Sequence, residues 1–125
     1  MYNIEFYQTA QGESEVLQFI DELLQKATTN KDSRIQYQQA IRYIQLLEKN
    51  GTNLPTTIVK HIEDEIYELR PGNNRIFFFG MHGNTFILLH HFRKRTRKTP
   101  KREILRAHAE IKDYCLRKEL DNELE

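Results

Sequence analysis

Arg70, Arg75, His90 and Lys94 are the residues of this chain whose types and spacing could act together on a phosphodiester. Cations hold such a group and stabilise the negative charge that builds on it in the transition state. A histidine among cations has its protonated form disfavoured, which suits a general base. RNA carries its own nucleophile, the 2′-hydroxyl, so a base, an acid and cations suffice without a metal. On spacing alone, surface pairing with the chain's many acids accounts for Arg70 and Arg75 equally well. Downstream, Arg93 to Arg106 holds eight basic residues and one acid, a local charge of +7. The other 111 residues carry −6, so the net charge of +1 conceals a basic stretch. Concentrated in this way, positive charge favours a polyanionic partner.

The signatures of other chemistries are missing from the 125 residues. No Gly-rich phosphate loop, His-Glu-x-x-His or nucleophile elbow is present. Cys115 is the only cysteine, so neither an internal disulfide nor a cysteine zinc site is expected, and it reads as a small helix-face hydrophobe. His61 and His108 have no partner at ligand spacing, and His90 and His91, being adjacent on a strand, point to opposite faces. No cofactor and no metal are expected. Apolar runs are too short to cross a bilayer, and the first twenty residues lack a secretory pattern, so a cytoplasmic protein with no membrane partner is expected.

The elements that would position these side chains follow from periodicity. Tyr2–Tyr7 alternates as a half-buried strand. Ser14 caps a helix with Val16, Phe19, Ile20, Leu23, Leu24 and Ala27 on one stripe. Asp32 or Ser33 caps a second helix with Ile35, Ala40, Ile41, Ile44 and Leu47 inward, ended by Asn50-Gly51. His61–Asp64 reads as irregular. Glu65–Arg70, Arg75–Met81 and Thr85–Arg93 read as three strands joined by short turns, hence an antiparallel meander. Thr99-Pro100 opens a last helix, and 117–125 reads as a polar, frayed tail. The expected fold is a single α+β domain over 1–125: N-terminal strand, helical hairpin, three-strand meander and C-terminal helix.

Register decides which side chains meet. A turn at His82-Gly83 sets Arg75 opposite His90. A turn at Gly83-Asn84 sets it opposite Phe92, with His90 and Lys94 diagonal on the same face. A three-residue loop sets it opposite His91. Two-residue turns are the commonest, which favours a cluster of Arg75, His90 and Lys94. Arg75→Ala is then expected to abolish activity while the fold survives.

Glu68-Leu69-Arg70, Arg75-Ile76-Phe77-Phe78, and Leu89-His90 followed by Phe92, Lys94, Arg95, Lys98, Thr99 and Pro100, then Glu103-Ile104 and Ala107, resemble the HigB-type toxins of the Gp49-like group in the RelE/ParE superfamily. The resemblance implies a RelE-like fold and the toxin of a type II toxin–antitoxin pair, a ribosome-dependent mRNA endonuclease. It places the family's functional arginines, histidine and lysines on Arg70, Arg75, His90, Lys94 and Lys98; the expected roles are phosphate binding and catalysis for Arg70, Arg75, His90 and Lys94, and an RNA grip for Lys98 with the arginines Arg93, Arg95 and Arg97 of the basic run. Implied partners are a cognate, HigA-like antitoxin with a helix-turn-helix domain, the ribosome and mRNA, with DNA reached only through the antitoxin. Relatives carry a tyrosine early in the last helix, where this chain has Glu103, Ile104 and Leu105. A ParE-like gyrase poison or a simple RNA-binding module are the alternatives.

Overall fold

The computed structural model describes residues 1–124. Its elements are β1 (Asn3–Phe6), α1 (Glu15–Lys26), α2 (Lys31–Asn50), β2 (Val59–Glu63), β3 (Ile66–Leu69), β4 (Asn74–Met81), β5 (Thr85–Arg93) and α3 (Lys101–Leu124). The strands form one sheet in the order β1-β5-β4-β3-β2. β1 joins β5 in parallel, and all other neighbours are antiparallel.

Each sheet face buries one apolar set, as the two-residue alternation requires. Leu69, Ile76, Phe78 and Leu88 pack with Val16 of α1 and Leu47 of α2. Ile66, Phe77, Phe79, Ile87 and Leu89 pack with Ala107 and Ile111 of α3. The sheet is therefore the middle of three layers, with the helical hairpin on one side and α3 on the other. Ser14 caps α1, its hydroxyl accepting from Leu17 N–H at 3.2 Å. The cap of α2 is Asn30, two residues before Asp32 and three before Ser33, its Oδ1 accepting from Ser33 N–H at 2.9 Å.

Two expected boundaries are corrected. The stretch taken as irregular is the edge strand β2, so the meander has four strands. Its residues Lys60, His61 and Glu63 face solvent and its register jumps between His61 and Glu63. A charged, bulged edge resists pairing with another chain but hides the alternation that signals a strand. The stretch taken as a frayed tail continues α3 as far as Leu124; Glu125 lies outside the described residues. Around Leu116 the helix is tied to β1 and to Tyr7 just after it by polar contacts. Tyr7 Oη donates to Asp113 at 2.7 Å, Tyr114 Oη donates to Glu5 at 3.0 Å, and the Arg117 guanidinium lies 5.5 Å from the Tyr7 ring centre.

Candidate nucleic-acid interface

The hairpin reaches the favoured pairing by a different route. Its loop has three residues, with His82 and Gly83 at φ 54° and 78°, and Met81 pairs with Thr85. Left alone, that loop would set Arg75 opposite His91. The register slips by one between Phe77 and Phe78, so Leu89 becomes an extra residue and Arg75 faces Phe92. A bulge re-aims the side chains beyond it. Here Leu89 and His90 both turn to the α3 face, while His91 turns to the helical hairpin.

Arg75 lies on the α3 face at 6% exposure, its Nε 2.7 Å from Glu68 Oε1. That N–H is not aligned for a hydrogen bond, so the contact is ionic in character. Arg75 Nη1 donates to Gly72 O at 2.7 Å and Asn74 O at 2.8 Å. Gly72 takes φ +63°, the left-handed region that favours glycine, whereas the Gln39 side-chain end that a Cβ there would meet at 2.8 Å can swing aside. Arg70 is oriented by a bond from Nη1 to Thr56 O at 2.8 Å. Lys94, just past the strand, has its N–H held by Asn73 O at 2.8 Å. Lys60 stands opposite Glu68 in register on β2.

Glu68 is the centre of this arrangement, and sequence reasoning expected no carboxylate in it. Burial pushes its pKa up, opposed by Arg75, Arg70, Lys94 and Lys60 in that order. Burial, then Arg75 and Arg70, push the Lys94 ammonium down. Four cations thus converge on one buried carboxylate, an excess of positive charge that an anion would relieve. Glu68 shares a face with Ile66 and Arg70 by simple alternation, which is the signal that would have found it. Lys60 became visible only once β2 was a strand.

Beside the cluster, Phe92 leads into a groove of about 630 Å³ lined by Arg93, Arg95, Lys98, Lys101, Arg102 and Glu103. Thr96, Thr99 and Pro100 complete its wall. Of the expected RNA-contacting residues, Arg93, Arg95 and Lys98 line it and Arg97 does not. Arg93 also reaches the other face, where Nη1 donates to Gln36 Oε1 at 3.1 Å.

His90 is corrected. It shares a face with Arg75 and Lys94, but α3 covers it completely, at 0% exposure. Its Nδ1 lies 2.5 Å from Glu110 Oε1 and its Nε2 3.1 Å from Glu103 Oε1. A side chain so enclosed touches no substrate. His108 also has partners that spacing did not reveal. Its Nε2 lies 3.1 Å from Glu63 Oε2 and 3.8 Å from Asp64 Oδ2, tying α3 to the β2–β3 turn.

His91 is a fold residue. Its ring stacks on Phe19 at 3.6 Å and its Nε2–H donates to Asn74 Oδ1 at 2.9 Å. Burial pushes its pKa down to about 4. The unfolded chain then binds more protons than the folded one between about pH 6.5 and 4, so stability is full above that window and is lost as pH falls through it. The loss should approach about 3 kcal/mol. Urea unfolding at pH 7 and pH 4.5 should show it, and His91→Gln, which cannot titrate, should remove that part of the difference. An unchanged difference in the variant would assign it to other groups.

The chain is thus a helix-flanked, five-stranded α+β sheet with a cationic cluster at one end. The chain belongs to the phage-derived Gp49-like family (DUF891), whose model matches residues 22–112. Among solved structures it is similar to a chain of the archaeal RelE–RelB complex from Pyrococcus horikoshii OT3. That match has a TM-score of 0.50 and 16% identity, and covers 78% of this chain and 98% of that one. A chain of the YoeB–YefM complex from Staphylococcus aureus matches with a TM-score of 0.46 and 13% identity, over 77% of this chain and 99% of that one. The archaeal likeness establishes a shared fold. No curated protein sequence matches the chain.

Proposed function

We propose that the chain is the toxin of a type II toxin–antitoxin pair, of the HigB type, and that it cleaves mRNA on translating ribosomes without a metal. The observation that carries this reading is the convergence of Arg70, Arg75, Lys94 and Lys60 on one face, beside a groove lined by five more cations. The fold shared with a chain of the RelE–RelB complex supports it, as does the Gp49-like family. In this reading, residues 1–125 act as one domain in the cytoplasm. A cognate antitoxin, HigA-like and carrying a helix-turn-helix domain, holds it inactive and connects it to DNA. Among the described residues no helix is long and apolar enough to cross a membrane.

Arg70 and Lys94 would hold the scissile phosphate, with Arg75 behind them fixing the field through Glu68. Arg93, Arg95 and Lys98 would carry the flanking backbone. The 2′-oxygen attacks phosphorus, the bond to the 5′-oxygen breaks, and a cyclic phosphate and a 5′-hydroxyl result. Charge on the phosphoryl oxygens rises in that step, and preorganised cations lower its barrier. Primer extension on an mRNA incubated with the purified, chelator-treated and dialysed chain tests the reading. Cleavage is expected when the mRNA is translated and not when it is free. Growth arrest with intact mRNA would favour a gyrase-poison mechanism, and RNA binding without arrest or cleavage a simple binding module.

A further inference from the structure

Glu103 is the one carboxylate lining the cationic groove among the described residues. Its side chain is 14% exposed, so it sits in the wall rather than out in solvent. In a surface built only to hold an anion, a carboxylate lowers affinity by direct repulsion. The neighbouring cations do not hold it closely, since its nearest contact among them is Arg102 Nε at 3.9 Å from Oε2. What holds it is the buried ring of His90, 3.1 Å from Oε1. Behind that ring Glu110 Oε1 lies 2.5 Å from Nδ1, and Arg106 Nε lies 3.5 Å from Glu110 Oε2. Arg106 in turn pairs with Glu15 of α1.

The hydrogen bonding of this chain of groups has a consequence. A neutral imidazole has one N–H and can donate to only one carboxylate. Both ring nitrogens face carboxylate oxygens, Nδ1 that of Glu110 and Nε2 that of Glu103, whose side chain reaches the groove. His90 is 0% exposed, so proton traffic between this set and the groove runs through Glu103. The groups facing the set are Glu103, Glu110, Arg106 and Arg102 from α3, Glu15 from α1, Tyr7 just past β1, and His91 next to His90 on the strand. The rings of Phe77 and Phe92, which also contact His90, do not titrate.

We propose that Glu103 is the general base of the groove and that His90, backed by Glu110, is its positioning residue. This rests on the endonuclease reading above. Glu103 Oε2 takes the proton of the 2′-hydroxyl as the 2′-oxygen bonds to phosphorus and the bond to the 5′-oxygen breaks. A water of the open groove protonates the leaving 5′-oxygen. The hydroxide so formed recovers the proton from Glu103, which restores both. Throughout, the N–H of His90 stays on Oε1, orienting the carboxylate and steadying its charge.

Positioned base catalysis contributes about 10²–10⁴-fold. In translation-coupled primer extension, Glu103→Gln should therefore lower the cleavage rate by about 10²–10⁴-fold. Binding of a 2′-deoxy-substituted RNA oligonucleotide should stay equal or tighten, because a repelling charge is gone. Glu103→Asp keeps the charge but withdraws it, and should lose rate while melting near the parent. If the glutamine variant fails to fold, the aspartate variant carries the test. His90→Gln should retain measurable cleavage but shift the acidic limb of the rate–pH profile, which a purely structural role would not do. Parent-like rates in both Glu103 variants, with the parent cleaving, would overturn this proposal alone. No cleavage by the parent would overturn the endonuclease reading and this proposal with it.

Discussion

Lys94→Ala is expected to cut translation-dependent mRNA cleavage by about 10²–10³-fold, the loss found when one preorganised transition-state donor is removed. The size follows from where the ammonium sits. Lys94 is half-buried at the end of β5, its backbone pinned to Asn73, and burial together with Arg75 and Arg70 disfavours its charge. A cation held beside Arg75 and Arg70 adds directly to the field that an incoming anion meets. Its removal should also leave the fold almost untouched. Lys94 relieves no buried charge alone, since Glu68 keeps Arg75 at 2.7 Å, and replacing a half-exposed residue of this kind shifts stability by no more than about 0.5 kcal/mol. The measurement is a primer-extension time course beside a thermal melt of the same preparation. Parent-like cleavage from the folded variant would remove Lys94 from the site.

The parts of this protein that were legible in its sequence are those governed by local pattern. The stripe from Val16 to Leu23, the turn Pro71–Asn74 and the aromatic strands on either side of His82-Gly83-Asn84 each declare themselves within a few residues. So does the basic run that becomes the groove wall. What stayed hidden depends on distance along the chain. His90 reads as an exposed base because its two carboxylate partners stand 13 and 20 residues downstream, on a helix whose docking angle no periodicity encodes. The bulge at Leu89 hid for another reason: a three-residue loop and a one-residue slip cancel, so the pairing of Arg75 with Phe92 emerged as though from a simpler turn. β2 hid because an edge strand that guards against aggregation carries charge where a strand signature would carry alternation. Glu68 was in plain view within the segment Glu65–Arg70, but its burial follows only from the sheet closing over it.

That burial reverses the expected result for the neighbouring arginine. Arg75→Ala was expected to keep its fold; instead it should lose about 3–5 kcal/mol of stability, the usual cost of leaving a buried charge without its partner. Glu68 is 3% exposed and Arg75 6%, and the guanidinium also closes the turn through Gly72 O and Asn74 O. Inactivity of Arg75→Ala would therefore say nothing about chemistry by itself. A double-mutant cycle separates the two effects. Glu68→Gln alone removes the buried negative charge and leaves Arg75 among Arg70, Lys94 and Lys60, so it should also destabilise. Glu68→Gln combined with Arg75→Ala removes both charges and should cost clearly less than the sum of the single changes. Urea unfolding of the four proteins measures the coupling, and simple additivity would show that the 2.7 Å contact contributes nothing to the fold. If the double variant folds well and still fails to cleave translated mRNA, the inactivity belongs to the lost cation, and Arg75 serves both the sheet and the phosphate.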